Sequence, residues 1–321
     1  MLRLLPRPPL RPSSRPFSTP PSSSARVEEV RAAAADRLQG RARFYKSVST
    51  APLSASAPSV QSPIPAGVDL SPSGARASTA ELTPERLASL APSSFPSAPF
   101  HTVLLDGRAL KTPAKNELAL PSLALAHAVA HEWDYQASHV EPSAMPLMVL
   151  CSTALDQVAT DGGYVRENVM RYLGNDTACY HAGTDERVLR KKQLAAWGPL
   201  LDWAEGRLGA RPAVVEGGLV FGALAHPAAL VETARTLVDS YDVWQLTALQ
   251  AVTMESKSLL VGLGCVEGFL GAEAAVAASR VEEEFQLEQW GLVEGGHDMD
   301  RLNNDVQIRA AFVMRDLLEL Q

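Results

Sequence analysis

The residues best suited to chemistry in this chain are few and scattered. His127 and His131 stand one helical turn apart, with Glu132 beside the second. Two imidazoles at that spacing can share a metal ion. The helical zinc-protease order, however, sets a glutamate directly after the first histidine, where this chain has Ala128. The pair therefore reads as structural or solvent-facing. Gly262-Leu263-Gly264-Cys265-Val266-Glu267-Gly268 resembles a dinucleotide loop, but helical text replaces the preceding strand and the third glycine comes one residue late. A helix-breaking turn is expected there. Cys151 lies in the apolar run Met148-Val149-Leu150-Cys151 and reads as a small core residue. His297-Asp298 has the types for an acid–base pair, although Asp298 also suits the first turn of a helix. There is no Walker A sequence, nucleophile elbow or paired-cysteine zinc signature. No catalytic residue, metal or cofactor is assigned. The enzymatic alternative is an organellar hydrolase or metalloenzyme whose site is assembled from scattered residues such as His127, His131 and His297.

One segment combines charge and stickiness without catalytic types: Ser279-Arg280-Val281-Glu282-Glu283-Glu284-Phe285-Gln286-Leu287-Glu288-Gln289-Trp290-Gly291. At 100° per residue, Val281 and Phe285 share one side of a helix, extended by Ala274, Ala277 and Ala278. Leu287 and Trp290 fall opposite, flanking the direction of Glu283. Glu284 and Glu288 repeat at a spacing where like charges repel weakly. One face can pack inward, while the other presents apolar groups beside unneutralised carboxylates. The bland alternative is a core helix with a solvated acidic side. The functional reading is a docking surface for a basic, partly apolar partner.

The elements that must position such a surface follow from composition and period. The first 26 residues hold five arginines and no acid, so the remaining 24 Lys and Arg face all 36 Asp and Glu and that remainder nets −12, against −7 for the whole chain. An arginine- and serine-rich, acid-free start is a transit-peptide composition, and residues 1–36 read as a mitochondrial leader to the matrix, with a chloroplast presequence or a disordered basic tail as the alternatives. The acidic remainder argues against nucleic acid or anionic membrane as partner, and no apolar run is long enough to span a bilayer. Three distant cysteines define no disulfide framework. Residues 50–99 hold 11 Ser, 10 Ala and 9 Pro, and are expected to be a mostly disordered insertion. It interrupts β-like text: Arg43–Val48 before it, Phe100–Leu105 and Arg108–Thr112 after it. Asp106-Gly107 between the latter runs is a hairpin signal, because both turn residues must accept positive φ. From Ser122, a helix cap, the period turns helical. Helices are expected to about Gln136 and over about 144–160, 163–173, 187–208, 228–240, 243–261, 271–290 and 298–319. Trp133 is expected to be structural, anchoring its helix to the hairpin. The fold class is α+β: a small β-rich N-terminal domain, 41–121, then a larger all-helical domain, 122–321. Nothing demands a dimer.

Several runs together resemble the chaperones that assemble the F(1) head of mitochondrial ATP synthase, specifically the assembly factor 2 family. They are Arg43-Phe44-Tyr45-Lys46, Leu105-Asp106-Gly107-Arg108-Ala109-Leu110-Lys111-Thr112-Pro113, Glu132-Trp133-Asp134-Tyr135-Gln136 and Pro142-Ser143-Ala144-Met145-Pro146-Leu147. Arg171-Tyr172-Leu173, Ser256-Lys257-Ser258, Glu282-Glu283-Glu284-Phe285-Gln286, Trp290-Gly291-Leu292-Val293-Glu294 and His297-Asp298 continue the series. The resemblance implies a non-enzymatic chaperone that transiently holds the free α subunit and shields its interface until a β subunit replaces it. It also ties activity to an acidic residue of the late helix, a place held here by Glu282–Glu284. The partner-binding residues expected are Glu282, Glu283, Glu284, Leu287, Trp290 and Glu294, with Glu283 preferred on geometry. A stable structural subunit of the same complex is a further alternative.

Overall fold

A computed structural model describes residues 41–53, 83–97, 99–217, 223–291 and 297–320. The expected leader, 1–36, and residues 54–82 of the low-complexity stretch lie outside the described residues. Strand β1 (Arg41–Ala42) is followed by β2 (Val48–Pro52), helix α1 (Pro84–Leu90), β3 (His101–Leu105) and β4 (Arg108–Ala109). Strands β2, β3 and β4 make an antiparallel sheet with β3 in the centre, Val48 facing Leu105 and Leu105 facing Arg108. The β3–β4 turn is Asp106-Gly107, with φ of 49° and 77°, a backbone that L side chains resist and glycine accepts. Asp106 also accepts the backbone N–H groups of Lys46 and Ser47 at 3.0 and 2.8 Å. Those bonds hold its carboxyl below the usual range and tie the turn to the start of β2.

Helix α2 (Leu123–Asp134) then leads to β5 (His139–Val140), which returns to pair with β1, and to α3 (Pro146–Thr153). A π-helical turn (Ala154–Val158) joins α3 to α4 (Ala159–Leu173). Next come β6 (Tyr180–His181), α5 (Arg187–Leu208), β7 (Val215–Glu216) and α6 (Ala228–Ser240). The chain continues with α7 (Val243–Ser256), α8 (Leu259–Val266), α9 (Ala272–Ser279), α10 (Val281–Trp290) and α11 (His297–Glu319). The α+β class is as expected, helices dominating after the early sheet. The expectation of only helices beyond 122 needs correction: β5 and the parallel pair β6–β7 lie there. Two-residue strands are too short to show an alternating period.

Helix α2 joins the sheet to the helices. Ser122 Oγ caps it, accepting the Leu125 N–H, and lies 2.6 and 2.9 Å from the carbonyls of Leu317 and Leu320 at the end of α11. At its other end the Arg43 guanidinium donates to the carbonyls of Asp134 and Gln136, and the Tyr45 hydroxyl donates to the Trp133 carbonyl at 2.6 Å. Trp133 is only 3% exposed, with its ring edge-on to Tyr45 at 5.6 Å. Asp156, in the π-helical turn, accepts from the Thr112 hydroxyl, the Ala114 N–H and the Asn116 amide, clamping the loop after β4. Buried side chains on both sides of residue 121 form one continuous cluster.

Two carboxylates, Glu132 half-buried and Asp176 fully buried, cap helices from afar. Glu132 on α2 accepts the N–H groups of Leu147 and Met148, both at 2.8 Å, at the start of α3. Desolvation pushes its carboxyl up to about 7 in spite of those two bonds. Asp176 accepts the Ser258 hydroxyl at 2.5 Å and the Leu260 N–H at 2.9 Å, at the start of α8; burial raises it to about 6.

Further expectations need correcting. The stretch 83–97 is ordered: Thr83 caps α1, Leu90 is buried, the Trp244 indole donates to the Leu90 carbonyl at 2.7 Å, and Asp242 accepts the Ser93 N–H. Residues 50–52 complete β2. The run 243–261 is broken at Lys257, whose φ is 54°; Gly262 and Gly264 lie inside α8, and the turn expected in this glycine stretch comes just after it, at Gly268 with φ of 74°. A Cβ at Gly262 would run into Thr253 Oγ1 and the Leu249 side chain, so glycine there permits the close approach of α7 and α8. The run 271–290 is divided at Arg280, and α9 buries Ala275 and Ala278 where the helical period points to Ala274 and Ala277 along with Ala278.

Candidate docking site

Helix α10 starts at the break made by Arg280, and that residue decides its electrostatics. The Arg280 side chain is 6% exposed, and its guanidinium meets Glu283 at 2.8 Å and Glu284 at 3.2 Å. These i,i+3 and i,i+4 spacings are visible in the sequence. Two further partners are not. Arg301 on α11 reaches the same Glu284 oxygen at 3.1 Å, and Lys192 on α5 meets Glu288 at 2.6 Å. Glu282 points to α5, where the buried Gln193 amide donates to it at 2.8 Å. Burial raises the Glu282 carboxyl from its ordinary value, with the Gln193 bond opposing.

The expectation of unneutralised carboxylates is thereby corrected. Glu282, Glu283, Glu284 and Glu288 each have a partner within this chain, brought in large part by tertiary placement of α5 and α11. Glu284 and Glu282 hold the helix to its neighbours, and Glu283 is the exposed member of the run. Of the apolar residues, Val281 is buried and Phe285 and Leu287 are partly buried. Trp290 stands 79% exposed at the end of the helix. An indole so placed offers a large apolar surface with one N–H donor, a type favoured at protein interfaces. Glu294 lies outside the described residues, as do the side chains of His297 and Asp298.

The α10 helix is held in place by its surroundings. The buried Trp197 indole donates to the Ala278 carbonyl at 2.8 Å, pinning the end of α9 to α5. The Asn304 amide donates to the Glu255 carbonyl, and the Ser279 hydroxyl lies 3.0 Å from Asn304, linking α11, α7 and the α9–α10 break.

His127 and His131 are exposed on α2, and His127 has the Thr50 hydroxyl 3.5 Å away. Among the described residues no group of three or more His, Cys, Asp or Glu could hold a metal ion. All three cysteines are buried, and desolvation raises each thiol, that of Cys265 to about 12. None is poised as a thiolate at neutral pH. No helix among the described residues is long and apolar enough to cross a membrane.

Comparison with known proteins bears on the chain as a whole. The family model described as ATP12 chaperone protein matches residues 88–205, from α1 to α5. The mitochondrial atp12 protein of Schizosaccharomyces pombe is 30% identical over 219 residues, covering 65% of this chain and 74% of its own. Mitochondrial ATP12 of Saccharomyces cerevisiae is 24% identical over 249 residues, covering 65% and 76%. The crystal structure of Atp12 from Paracoccus denitrificans superposes with a TM-score of 0.65 at 28% identity, covering 87% of this chain and 99% of that one. This protein, like the two yeast relatives, is mitochondrial. Shared sequence over most of a relative's length, together with a shared fold, shows that the chain belongs to the ATP12 chaperone family.

Proposed function

We propose that the protein is an assembly chaperone of the mitochondrial ATP synthase F(1) sector, working in the matrix after its leader is removed. It binds the unassembled α subunit and shields the interface later taken by β. The docking face includes the free end of α10: Trp290 as apolar anchor, Leu287 beside it and Glu283 as the outward carboxylate. Glu282 and Glu284 position that helix. The observation that carries the reading is the 79% exposure of Trp290 on a helix otherwise tied down on both sides, in a chain of the ATP12 chaperone family. An exposed indole beside partly buried apolar groups is a residue type that anchors protein interfaces.

The test is pull-down and calorimetry of the full chain with isolated ATP synthase α and β subunits, without nucleotide, alongside Trp290→Ser. The expected result is binding to α and not β, weakened by about tenfold or more in the variant at unchanged melting temperature. A wild-type protein that ignores α refutes the function. Unchanged binding by Trp290→Ser removes α10 from the docking face.

A further inference from the structure

Beside α10 an open groove of about 690 Å³ runs between α9 and α11, a size within the roughly 300–1,000 Å³ typical of ligand sites. Its apolar lining comes from Val276 and Ala277 on α9 and from Met299 and Leu302 on α11. Ala277 is exposed, and Met299 and Leu302 are 61% and 60% exposed. Three cations and three carboxylates also line it, and they match one another. Arg309 holds Glu273 and Asp305, each at 2.8 Å. Arg280 and Arg301 share Glu284 at 3.2 and 3.1 Å. The groove therefore offers exposed aliphatic and thioether surface with no unmatched carboxylate or guanidinium to offer a charged guest.

We infer that this groove receives an apolar stretch of the client polypeptide that carries no formal charge. The inference rests on the chaperone reading above and deepens it by naming what the client presents. Charge complementarity decides the chemistry. A basic guest would have to take Glu273, Glu284 or Asp305 from its own arginine, and an acidic guest would have to do the reverse. Either exchange strips a satisfied ion pair and gains little. An uncharged apolar segment covers Met299, Leu302, Val276 and Ala277 and leaves the pairs intact at the rim, the arrangement of an apolar centre within a polar border. Glu284 belongs both to this groove and to α10, so the groove borders that helix. The sequence alone points to a different guest, a basic and partly apolar one drawn by an acidic run. The two differ in salt dependence, since screening weakens exposed charge attraction and leaves apolar contact in place.

The experiment measures binding of isolated ATP synthase α subunit to the full chain at about 50 and 500 mM salt, for the wild type, Leu302→Asp and Ala277→Trp. The second variant fills the groove without adding charge, and both positions are exposed, so melting temperatures should be unchanged. The expected result is affinity that varies less than about threefold with salt and falls about tenfold or more in each variant. Affinity that collapses at high salt, or folded variants that bind as well as wild type, would overturn the inference while leaving the chaperone reading standing. A wild-type dimer dispersed by Leu302→Asp would assign the groove to a second copy and also overturn it. No α binding by the wild type refutes the chaperone reading itself, and this inference with it.

Discussion

Replacing Glu132 by glutamine should flatten the dependence of stability on pH. In the native protein this carboxylate spans from α2 to the first turn of α3, accepting two backbone N–H groups at 2.8 Å each. Those bonds favour the charged form, but burial disfavours it more strongly, and the group titrates near 7 in place of 4.5. A folded value above the unfolded one means the folded state holds this proton over a range where the unfolded chain has released it. The stability contributed is full below about 4.5, falls as pH rises, and is lost once pH passes about 7. Between pH 5 and 8 the loss is about 2 kcal/mol, since each tenfold difference in proton affinity between the folded and unfolded states corresponds to about 1.4 kcal/mol. Glutamine does not ionise, so this slope disappears. Its amide oxygen serves one N–H and its amide nitrogen faces the other, leaving one donor unpaired at about 1–3 kcal/mol. Glu132→Gln should therefore be clearly destabilised at pH 5 and close to wild type at pH 8. Urea unfolding of both proteins at pH 5, 6, 7 and 8, followed by circular dichroism, reads the difference directly. Parallel curves would show that Glu132 does not titrate in this range. A variant that becomes worse as pH rises would show that the two N–H bonds outweigh desolvation, and the argument would be wrong in sign.

Trp133→Arg buries a guanidinium against Tyr45 and should cost more than about 4 kcal/mol, seen as loss of soluble protein. Trp133→Phe should cost less than a Trp→Ala truncation by a wide margin, because the indole N–H has no partner among the described residues; melting curves separate the two. Glu284→Lys places a cation between Arg280 and Arg301 and should destabilise by about 2 kcal/mol or more. Glu283→Lys, at an exposed position, should cost under about 1 kcal/mol; denaturant midpoints that rank them the other way would contradict the pairing described. Gly262→Ala gains about 1 kcal/mol of helix propensity yet should be net destabilising by about 1–3 kcal/mol through overlap with Thr253 and Leu249. Thr253→Ala in the same chain should recover part of that loss in thermal melts.

What could be read from the sequence was local. Asp106-Gly107 announces its hairpin because the required positive φ is a property of two adjacent residues. Ser122 and the helical periods that follow mark α2 and most later helices, since caps and faces repeat within one or two turns. The α+β order and the mitochondrial address follow in the same way, from period and composition. What the chain does with its charges was decided at long range. Glu288 is neutralised by Lys192 from 96 residues away, Glu282 is held by Gln193 from 89, and Asp176 caps α8 from 82. Helix α1, hidden in low-complexity text, is held by Trp244 from 154 residues away. Even Gly262 changes meaning from breaker to close-packing residue once Thr253 is set against it. Periodicity reports which face of a helix is apolar, but a carboxylate's partner and a glycine's neighbour are set by how helices cross, through distances that no local spacing encodes.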